Sequence, residues 1–201
     1  MAEEKKPHRP GRSRRRGAEL VEAIHHAVIE EVLQVGVGGL TMEGVAKRAA
    51  TAKTVLYRRW SSPQDVLLDA LYETFPQETP SPDADDLRGD LLRSLRQLTD
   101  WMRRPTGRAV AEVIVERHRH PELAEAMYKR VFDPRGGRFT LTVMRHYAER
   151  GVIDPARVTP VVADIGEAML GKFVTDTGLF PDEEWIAAVV DQAILPALGV
   201  R

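Results

Sequence analysis

The sequence predicts an all-α fold of about nine helices, arranged as a small N-terminal domain and a larger C-terminal helical domain. Apolar residues recur three and four positions apart along most of the chain, which is the period of an amphipathic helix. Aromatic residues make up only 6% of the sequence, and no segment shows a convincing strand pattern. A stretch rich in proline and acidic residues, between positions 76 and 86, is predicted to be the linker between the domains.

The composition excludes several classes of protein. With 201 residues and 43% hydrophobic content, the chain can fill a substantial core. Cysteine is absent, which excludes disulfide bonds, thiolate nucleophiles and zinc sites built on cysteine. No apolar run is long enough to span a membrane and the N-terminus lacks a signal-peptide pattern, so we expect a cytoplasmic protein without a membrane partner.

Charge is distributed unevenly along the chain. Residues 1–60 contain 12 Lys or Arg against 7 Asp or Glu, whereas the remaining residues contain 17 against 23. This asymmetry predicts that the N-terminal part faces a polyanion, and chance segregation of charge is the alternative. Residues 1–17, MAEEKKPHRPGRSRRRG, are expected to form a disordered basic arm, which either contacts DNA or serves only as a solubilising tail.

Four helices are predicted in residues 18–75. The first has an apolar stripe and ends at the glycines after Val35, and the second has Thr41 as its N-cap. The third is expected from about Ala52 to Trp60, with Ala52, Leu56 and Trp60 facing inward. The fourth begins at a strong N-terminal signal, Ser62-Pro63 with an acidic residue at Asp65. The outward face of the third helix is almost entirely made of hydrogen-bond donors: Lys53, Thr54, Tyr57 and Arg58.

Residues 87–201 continue the helical period to the end of the chain. Prolines 105 and 121 are expected to end the fifth and sixth helices, and the DPRGG segment to interrupt the seventh. Two further helices are predicted over roughly 158–177 and 182–198. Wide apolar stripes occur on both: Val162, Ile165, Met169 and Phe173 on the first, and Ile186, Val189, Val190 and Ala193 on the second.

Two short helices with a donor-rich second member match a helix-turn-helix, whose second helix enters the DNA major groove. Residues 40–71, LTMEGVAKRAATAKTVLYRRWSSPQDVLLDAL, resemble the N-terminal domain of the tetracycline-repressor family of bacterial transcription regulators. The matching elements are the Thr before the second helix, VAKRA, LYRRW and the capped fourth helix. Residues 119–135, RHPELAEAMYKRVFDPR, and the closing pair of helices are similar to one common subtype of that family.

The resemblance implies roles for residues of the N-terminal domain. Thr41 matches a phosphate-binding position, and Arg59 matches a contact to the DNA backbone. The residues matching base and backbone contacts are Lys53, Thr54, Tyr57 and Arg58. We expect Arg12 and Arg14 of the arm to reach the minor groove, and Thr51 to cap the third helix and to belong to the DNA-binding residues. Three positions depart from the family pattern, namely Ala50 in place of Gly in the turn, Ala52 in place of the capping Ser, and Pro63 in place of a phosphate-binding Lys.

In the resembling family the C-terminal helices enclose a small-molecule effector. The residues predicted to bind it here are Trp101, Met102, His118, Tyr128, Phe132, Met169 and Phe173, and an ordinary hydrophobic core is the alternative for most of them. A metal site on His118, His120 and His146 is disfavoured, because no cysteine accompanies them. We therefore expect no metal and no cofactor.

Taken with the resemblance, these patterns predict a sequence-specific regulator of transcription that binds double-stranded DNA and is not an enzyme. The family pairs its last two helices across a two-fold axis, which implies a homodimer acting on a palindromic operator. An unknown small molecule would relieve DNA binding, and the protein would lie in the cytoplasm, at the nucleoid when bound to DNA. The alternatives are a DNA-binding regulator that responds to a protein partner or to no ligand and, more remotely, a helical-bundle enzyme.

Overall fold

The structure is a computed structural model that describes residues 11–135 and 139–200, with the side chains of residues 11–16 and 135 left out. Every regular element within those ranges is a helix, which confirms the all-α prediction. The chain divides into two compact units, and the division falls between Ala70 and Leu71. It therefore lies inside the fourth helix rather than in the proline-rich segment that the sequence predicted as the linker.

The first four helices are α1 (Gly11–Val35), α2 (Met42–Arg48), α3 (Lys53–Tyr57) and α4 (Pro63–Thr74). The N-terminal unit contains the first three of them and α4 as far as Ala70. Its core is apolar, because the helices turn most residues of their predicted stripes inward. Val35 at the end of the α1 stripe is an exception, since it is 43% exposed. The residues buried there include Ile24, Val28, Val32, Val45, Leu56, Trp60, Val66 and Leu67.

α1 begins earlier than the sequence predicted. Helix is present from Gly11, so the expected disorder of residues 1–17 is wrong for residues 11–17. Arg is a good helix former, and extending an existing helix is much easier than nucleating one, which explains the longer α1. Residues 1–10 lie outside the described residues.

Two contacts fix α2 against α1. The guanidinium Nε of Arg48 lies 2.9 Å from Glu31 Oε2, and Arg48 also reaches Glu30 and Gln34 of α1. A Cβ atom at Gly44 would overlap the Glu31 carboxylate, so a larger residue at this position would require the Glu31 side chain to move. At the start of α2, the Thr41 hydroxyl accepts a hydrogen bond of 3.0 Å from the Gly44 amide, which confirms the predicted N-cap.

The turn between α2 and α3 contains a strained residue. Ala50 has a φ of 49°, in the left-handed region where the Cβ atom of an L-residue is crowded. The family's usual glycine at this position has no such atom. Ala50, which replaces the family's glycine, therefore occupies a position whose backbone conformation favours glycine.

Replacing Ala50 by Gly is expected to raise the free energy of unfolding of the N-terminal unit by roughly 1 kcal/mol, because it relieves this crowding. The matched control is Gly36→Ala. Gly36 has a φ of 73° and should show the opposite change. Urea denaturation of the full chain measures both, and an unchanged or lower stability for Ala50→Gly would contradict the prediction.

The C-terminal unit holds the remaining helices. Its α-helices are α5 (Leu87–Arg103), α6 (Pro105–Val115), α7 (Pro121–Met127), α8 (Phe139–Glu149), α9 (Pro160–Thr177), α10 (Glu183–Val189) and α11 (Leu195–Leu198). A π-helical turn, Tyr128–Phe132, extends α7, and another, Val190–Ile194, joins α10 to α11. The sequence merged α7 with α8. In the described ranges they are separate helices. With α10 and α11 taken as one continuous helix, ten helices are present there instead of the nine predicted.

The predicted linker is attached to the C-terminal unit by hydrogen bonds. His146 Nε2 lies 2.7 Å from the carbonyl oxygen of Ser81, and Arg150 Nε donates to the Pro82 carbonyl over 3.0 Å. Because a carbonyl only accepts, His146 carries its proton on Nε2 in this contact. Gln97 Nε2 also donates to the Gln77 carbonyl over 3.0 Å. Residues 76–86, the predicted linker, are thus a strap that is hydrogen-bonded to α5 and α8.

A buried polar network completes this attachment. Asp90 is 2% exposed, and its Oδ2 accepts hydrogen bonds from the Tyr147 hydroxyl (2.7 Å) and from the Ser81 amide (2.8 Å). The Tyr147 oxygen in turn accepts from the Asp86 amide over 3.0 Å. Arg93 also contacts the Asp90 carboxylate. The Asp90 carboxylate therefore joins α5, α8 and the strap. The network also gives the amides of Ser81 and Asp86 hydrogen-bond acceptors, without which their burial would be unfavourable.

Candidate nucleic-acid interface

The surface of α3 presents hydrogen-bond donors to solvent. Lys53, Thr54, Tyr57 and Arg58 are all exposed, and 58% of the Tyr57 surface is accessible. Leu56 and Trp60 are buried, at 0% and 6%, and hold this segment against the N-terminal core. The large exposed aromatic of Tyr57 and the two cationic side chains thus occupy one accessible surface, as the helical period predicted.

α3 is shorter than the sequence predicted. It ends at Tyr57, and the next two residues form a tight turn in which the amides of Arg59 and Trp60 both donate to the Leu56 carbonyl over 2.9 Å. Arg58 and Arg59 therefore lie at the end of the helix and just beyond it. Their side chains are nevertheless exposed, so both remain accessible although they do not lie within α3.

The N-terminus of α3 has no side-chain cap. Ala52 occupies the N-cap position and is exposed, in contrast to its predicted inward orientation. The expectation that Thr51 caps this helix is wrong. Thr51 lies one residue too early, and its backbone amide donates to the Ala46 carbonyl over 2.9 Å as part of the turn. At the start of α4, by contrast, the Asp65 amide donates to the Ser62 hydroxyl oxygen over 3.1 Å, which confirms the predicted cap.

Lys53 is paired with an acidic residue that the sequence analysis did not select. Its Nζ lies 3.0 Å from Glu43 Oε2 of α2, and the two side chains are 51% and 77% exposed. The hydrogen bond from Lys53 and its positive charge lower the pKa of Glu43, and the same contact raises the pKa of Lys53. Both groups are therefore charged at neutral pH, and together they place a donor and an acceptor side by side on the surface of the helix-turn-helix.

Asp69 of α4 connects the end of α3 to α1. Its Oδ2 accepts a hydrogen bond of 2.9 Å from Trp60 Nε1 and lies 3.2 Å from His25 Nε2. The guanidinium of Arg59 lies 3.8 Å from the same oxygen and 5.1 Å from the centre of the Trp60 ring. A single carboxylate thus orients the buried indole that holds the end of the recognition segment.

Replacing Asp69 by Ala is expected to lower the free energy of unfolding of the N-terminal unit by about 1–3 kcal/mol, because it leaves the Trp60 N–H and the His25 ring without an acceptor. Asp69→Asn is the matched control. Its amide oxygen keeps one acceptor at this position, so a smaller loss is expected. Urea denaturation followed by tryptophan fluorescence measures both variants, and equal losses would show that the hydrogen bonds to Asp69 contribute little.

Arg12 and Arg14, the predicted arm residues, fall in the first turns of α1. Their side chains lie outside what the structure describes. Contact of these two residues with the minor groove stays a prediction.

Several of the predicted effector-binding residues meet in an aromatic cluster, which consists of Phe75, Trp101, Phe132, Phe139 and Tyr128. The ring of Phe75 lies 5.3 Å from Trp101, 5.1 Å from Phe132 and 5.6 Å from Phe139, measured between ring centres. Tyr128 joins this group through Phe132 at 5.3 Å and is 48% exposed. Trp101 is 7% exposed, and within the described residues its Nε1 has no hydrogen-bond partner.

The other predicted effector-binding residues lie elsewhere. His118 is exposed in the segment between α6 and α7, and Met102 is half-buried at the end of α5. Met169 is 41% exposed on α9. Phe173 packs against Trp185 of α10, at 4.8 Å between ring centres. The helical period placed Met102, Met169 and Phe173 on helices correctly, whereas His118, which was also predicted to lie on a helix, falls between two helices. It did not show which faces of different helices meet.

Two of the cavities among the described residues of the C-terminal unit bear on a ligand site. One of about 360 Å³ lies beside Trp101, and a larger one of about 740 Å³ lies between α8 and the start of α9. Arg93, Arg96, Gln97 and Arg104 line the first of these, so its walls are more basic than the aromatic composition suggested. The larger cavity contains none of the residues predicted from the sequence.

The apolar stripes of the last helices divide into a buried part and an exposed part. Ile186, Val189 and Val190 are at most 4% exposed and pack inside their own chain, so their predicted place in a subunit interface is wrong. On α9, Val162, Ile165 and Phe173 are only partly buried, and Met169 is exposed. Val161 of the same helix is 77% exposed. Apolar periodicity alone cannot separate a helix face that packs within a subunit from one that packs between subunits.

Three residues that matter here were missed by the sequence analysis: Glu43, Asp69 and Phe75. Glu43 and Lys53 are ten residues apart, and only the helix-turn-helix geometry brings them together. Asp69 and Phe75 lie on or just after α4, and their partners are distant in sequence. In the described part of the chain, no group of three or more metal-ligating side chains is present, and no helix is long and apolar enough to cross a membrane.

Comparison with known proteins supports the resemblance to the tetracycline-repressor family. Residues 81–193 match the family model described as "Tetracyclin repressor-like, C-terminal domain". The chain is 29% identical over 168 residues to an uncharacterized HTH-type transcriptional regulator of Mycobacterium tuberculosis, covering 81% of this chain and 80% of that protein. It is 26% identical over 183 residues to a DNA-binding transcriptional repressor TetR of Mycobacteroides abscessus, covering 90% and 94%.

Solved structures of the same family share the fold. The crystal structure of a TetR family transcription regulator aligns with a TM-score of 0.63 at 29% identity, covering 88% of this chain and 97% of that one. A putative TetR-family regulator from Mesorhizobium loti aligns with a TM-score of 0.59 at 15% identity, covering 92% and 97%. These similar proteins are regulators of transcription and not enzymes. The chain therefore belongs to the tetracycline-repressor family of helix-turn-helix transcriptional regulators.

Proposed function

We propose that the protein is a ligand-responsive repressor that acts as a homodimer on a palindromic operator. The observation that carries this proposal is the exposed donor surface of α3, held in place by the buried Leu56 and Trp60. A helix of this kind, as the second member of a helix-turn-helix, is the element that reads base edges in the major groove. Membership of a regulator family makes DNA the natural partner of this surface.

In this proposal Lys53, Thr54, Tyr57 and Arg58 contact bases and nearby phosphates, and Arg59 contacts the DNA backbone. Thr41 binds a phosphate. Its oxygen accepts from the Gly44 amide, which leaves the hydroxyl proton available to a phosphate oxygen. α3 has no side-chain cap, and Pro63 stands where the family has a phosphate-binding Lys. DNA binding should therefore be weaker than in a relative that has the cap and the Lys.

The dimer is proposed to form through the outward face of α9. Val161 and Met169 are large apolar side chains that are 77% and 41% exposed. With the partly buried Ile165 between them, they follow one face of α9 at intervals of four residues, and an exposed apolar face is typical of an interaction site. Two subunits would place their recognition helices in successive major grooves, roughly 34–36 Å apart. Light scattering of the full chain at micromolar concentration tests this, and a monomeric mass would reject the dimer.

The effector is proposed to bind beside the aromatic cluster in the C-terminal unit. Trp101 lies at the boundary between this cluster and the 360 Å³ cavity, and sites for small molecules commonly combine aromatic walls with a few polar groups. Tyr128, which is half exposed, would be the accessible edge of the site. Repression is relieved only if the effector binds more tightly to the conformation that does not fit the operator.

The experiment that tests the proposed function is selection from a random library of DNA duplexes by the full chain at about 150 mM salt, where non-specific binding is weak. Recovery of one palindrome with two half-sites is the expected result. Failure to enrich any sequence would contradict specific recognition. Half-sites that bind independently, without a fixed spacing, would contradict the homodimer.

A further inference from the structure

The pair formed by Glu43 and Lys53 is unusual on a surface that faces DNA. DNA carries a dense array of phosphate charges, so an exposed carboxylate at the interface is repelled unless it accepts a hydrogen bond there. Glu43 is the more exposed member of its pair with Lys53, and Lys53 Nζ lies 3.0 Å from Glu43 Oε2. The carboxylate lies on α2, one helix away from the residues that the sequence assigned to base contacts.

The spacing of this pair matches the edge of one base pair. In the major groove a G·C pair shows the O6 acceptor of guanine beside the N4 amino donor of cytosine. These two atoms are themselves joined by a base-pair hydrogen bond, so they lie roughly 2.9 Å apart. A lysine nitrogen and a glutamate oxygen separated by 3.0 Å therefore have the spacing and the order of charge to meet that edge.

We propose that Glu43 and Lys53 act together as a unit that reads one G·C base pair in each half-site of the operator. This inference rests on the proposed function, since it assumes that α3 enters the major groove. Lys53 Nζ donates to guanine O6 and N7, and Glu43 Oε2 accepts from the cytosine N4 amino group. The ion pair orients both side chains before DNA binds. The hydrogen bond from cytosine to Glu43 offsets the electrostatic repulsion between the carboxylate and the DNA phosphates.

A T·A pair is the closest competitor for this unit. It also shows an acceptor beside a donor, thymine O4 and adenine N6. The thymine methyl group, however, occupies the position next to O4 where guanine offers the second acceptor, N7. Lys53 therefore gains two acceptors from G·C and one from T·A, which makes G·C the preferred pair.

The test compares the full-length wild type with Glu43→Gln and Glu43→Ala by duplex selection, followed by affinity measurements on the recovered half-site and on all single-base variants. For the wild type, replacing the G·C pair at one position should weaken binding roughly 5- to 150-fold, the range that corresponds to a good base contact. Glu43→Ala should reduce that preference to less than about threefold. Glu43→Gln should move it toward A·T, because glutamine pairs with adenine N6 and N7.

The matched control is Glu22→Gln, which removes the same charge from an exposed position on α1 and should leave every base preference unchanged. The proposal is overturned if both Glu43 variants bind all sequences more tightly by the same factor, since Glu43 would then act only as a repulsive charge. It is also overturned if the base preferences of the wild type and of Glu43→Ala are identical. If the wild type enriches no sequence, the proposed function fails with it, whereas an enriched palindrome that is insensitive to Glu43 removes only this inference.

Discussion

Replacing Arg58 by Ala is expected to give the largest loss of operator affinity of any single substitution on α3 or directly after it. Arg58 is exposed, directly follows the helix, and carries a planar guanidinium that can donate two parallel hydrogen bonds to guanine. A base contact of this kind contributes about 1–3 kcal/mol of discrimination. Since each homodimer carries two copies, the total loss should be roughly 2–6 kcal/mol for binding to a full palindrome.

Fluorescence anisotropy with the selected operator, at a fixed salt concentration, measures this loss. The sequence dependence of the result is decisive. If Arg58 reads a base, the variant should lose preference at one position of each half-site while retaining the others. A small loss that is equal for all sequences would instead assign Arg58 to a phosphate. Arg145→Ala, which removes an exposed arginine from the C-terminal unit, is the control and should bind as the wild type does.

Replacing Asp90 by Ala is expected to destabilise the C-terminal unit by about 2–6 kcal/mol, because each buried donor that is left without an acceptor costs roughly 1–3 kcal/mol. The substitution leaves the Tyr147 hydroxyl, the Ser81 amide and the Arg93 guanidinium without their common acceptor. The strap over residues 76–86 should then detach from α5, with faster amide hydrogen exchange at Ser81 and Asp86.

Urea denaturation and hydrogen exchange of the full chain measure these effects. Glu149→Ala, at an exposed position of α8, is the control and should change stability by less than about 0.5 kcal/mol. Tyr147→Phe should have an intermediate effect of about 1–2 kcal/mol, because Asp90 keeps its other two donors. If Asp90→Ala is no worse than the control, then the network does not stabilise the fold.

The same network gives stability a defined dependence on pH. Burial alone would raise the pKa of Asp90, but hydrogen bonds from Tyr147, the Ser81 amide and Arg93 outweigh it and hold that pKa below its ordinary value. A depressed pKa in the folded state means that this stabilisation is present above about pH 3.9, the ordinary value for Asp, and is lost as the pH falls through the folded pKa.

At high pH, Tyr147 determines how the stability of the fold changes with pH. Burial, together with the hydrogen bond to Asp90, raises the pKa of Tyr147 to about 12. Its stabilisation is therefore complete below about pH 10, the ordinary value for Tyr, and is lost between about pH 10 and pH 12. Tyr147→Phe should remove this alkaline part of the pH dependence, which denaturation at several pH values would detect.

Local patterns were sufficient to predict most of the helices. The Thr41 and Ser62 caps, the start of α4 at Pro63 and the buried stripe of α5 all lie where the sequence placed them. These features depend on neighbours within about four residues, so the chain encodes them locally. The donor surface on α3 was predictable for the same reason, since the direction of a side chain follows from the helical period alone.

The errors occurred where a residue's role depends on a distant partner. The strap over residues 76–86 has the composition of a free linker, yet Asp90, Tyr147 and His146 hold it in place. Ile186 and Val190 carry the same apolar pattern as a subunit interface, but other helices of the same chain cover them.

The sequence by itself thus determined the fold class, the family and the surface that is proposed to meet DNA, because helical periodicity and the helix-turn-helix signature are local properties. Only the tertiary structure decided that Glu43 pairs with Lys53, that Asp69 holds Trp60, and that the strap belongs to the C-terminal unit. These contacts join residues on different helices or segments of the chain. The physical reason is that a hydrogen bond or an ion pair depends on positions in space to within a few tenths of an ångström, and sequence separation does not specify those positions.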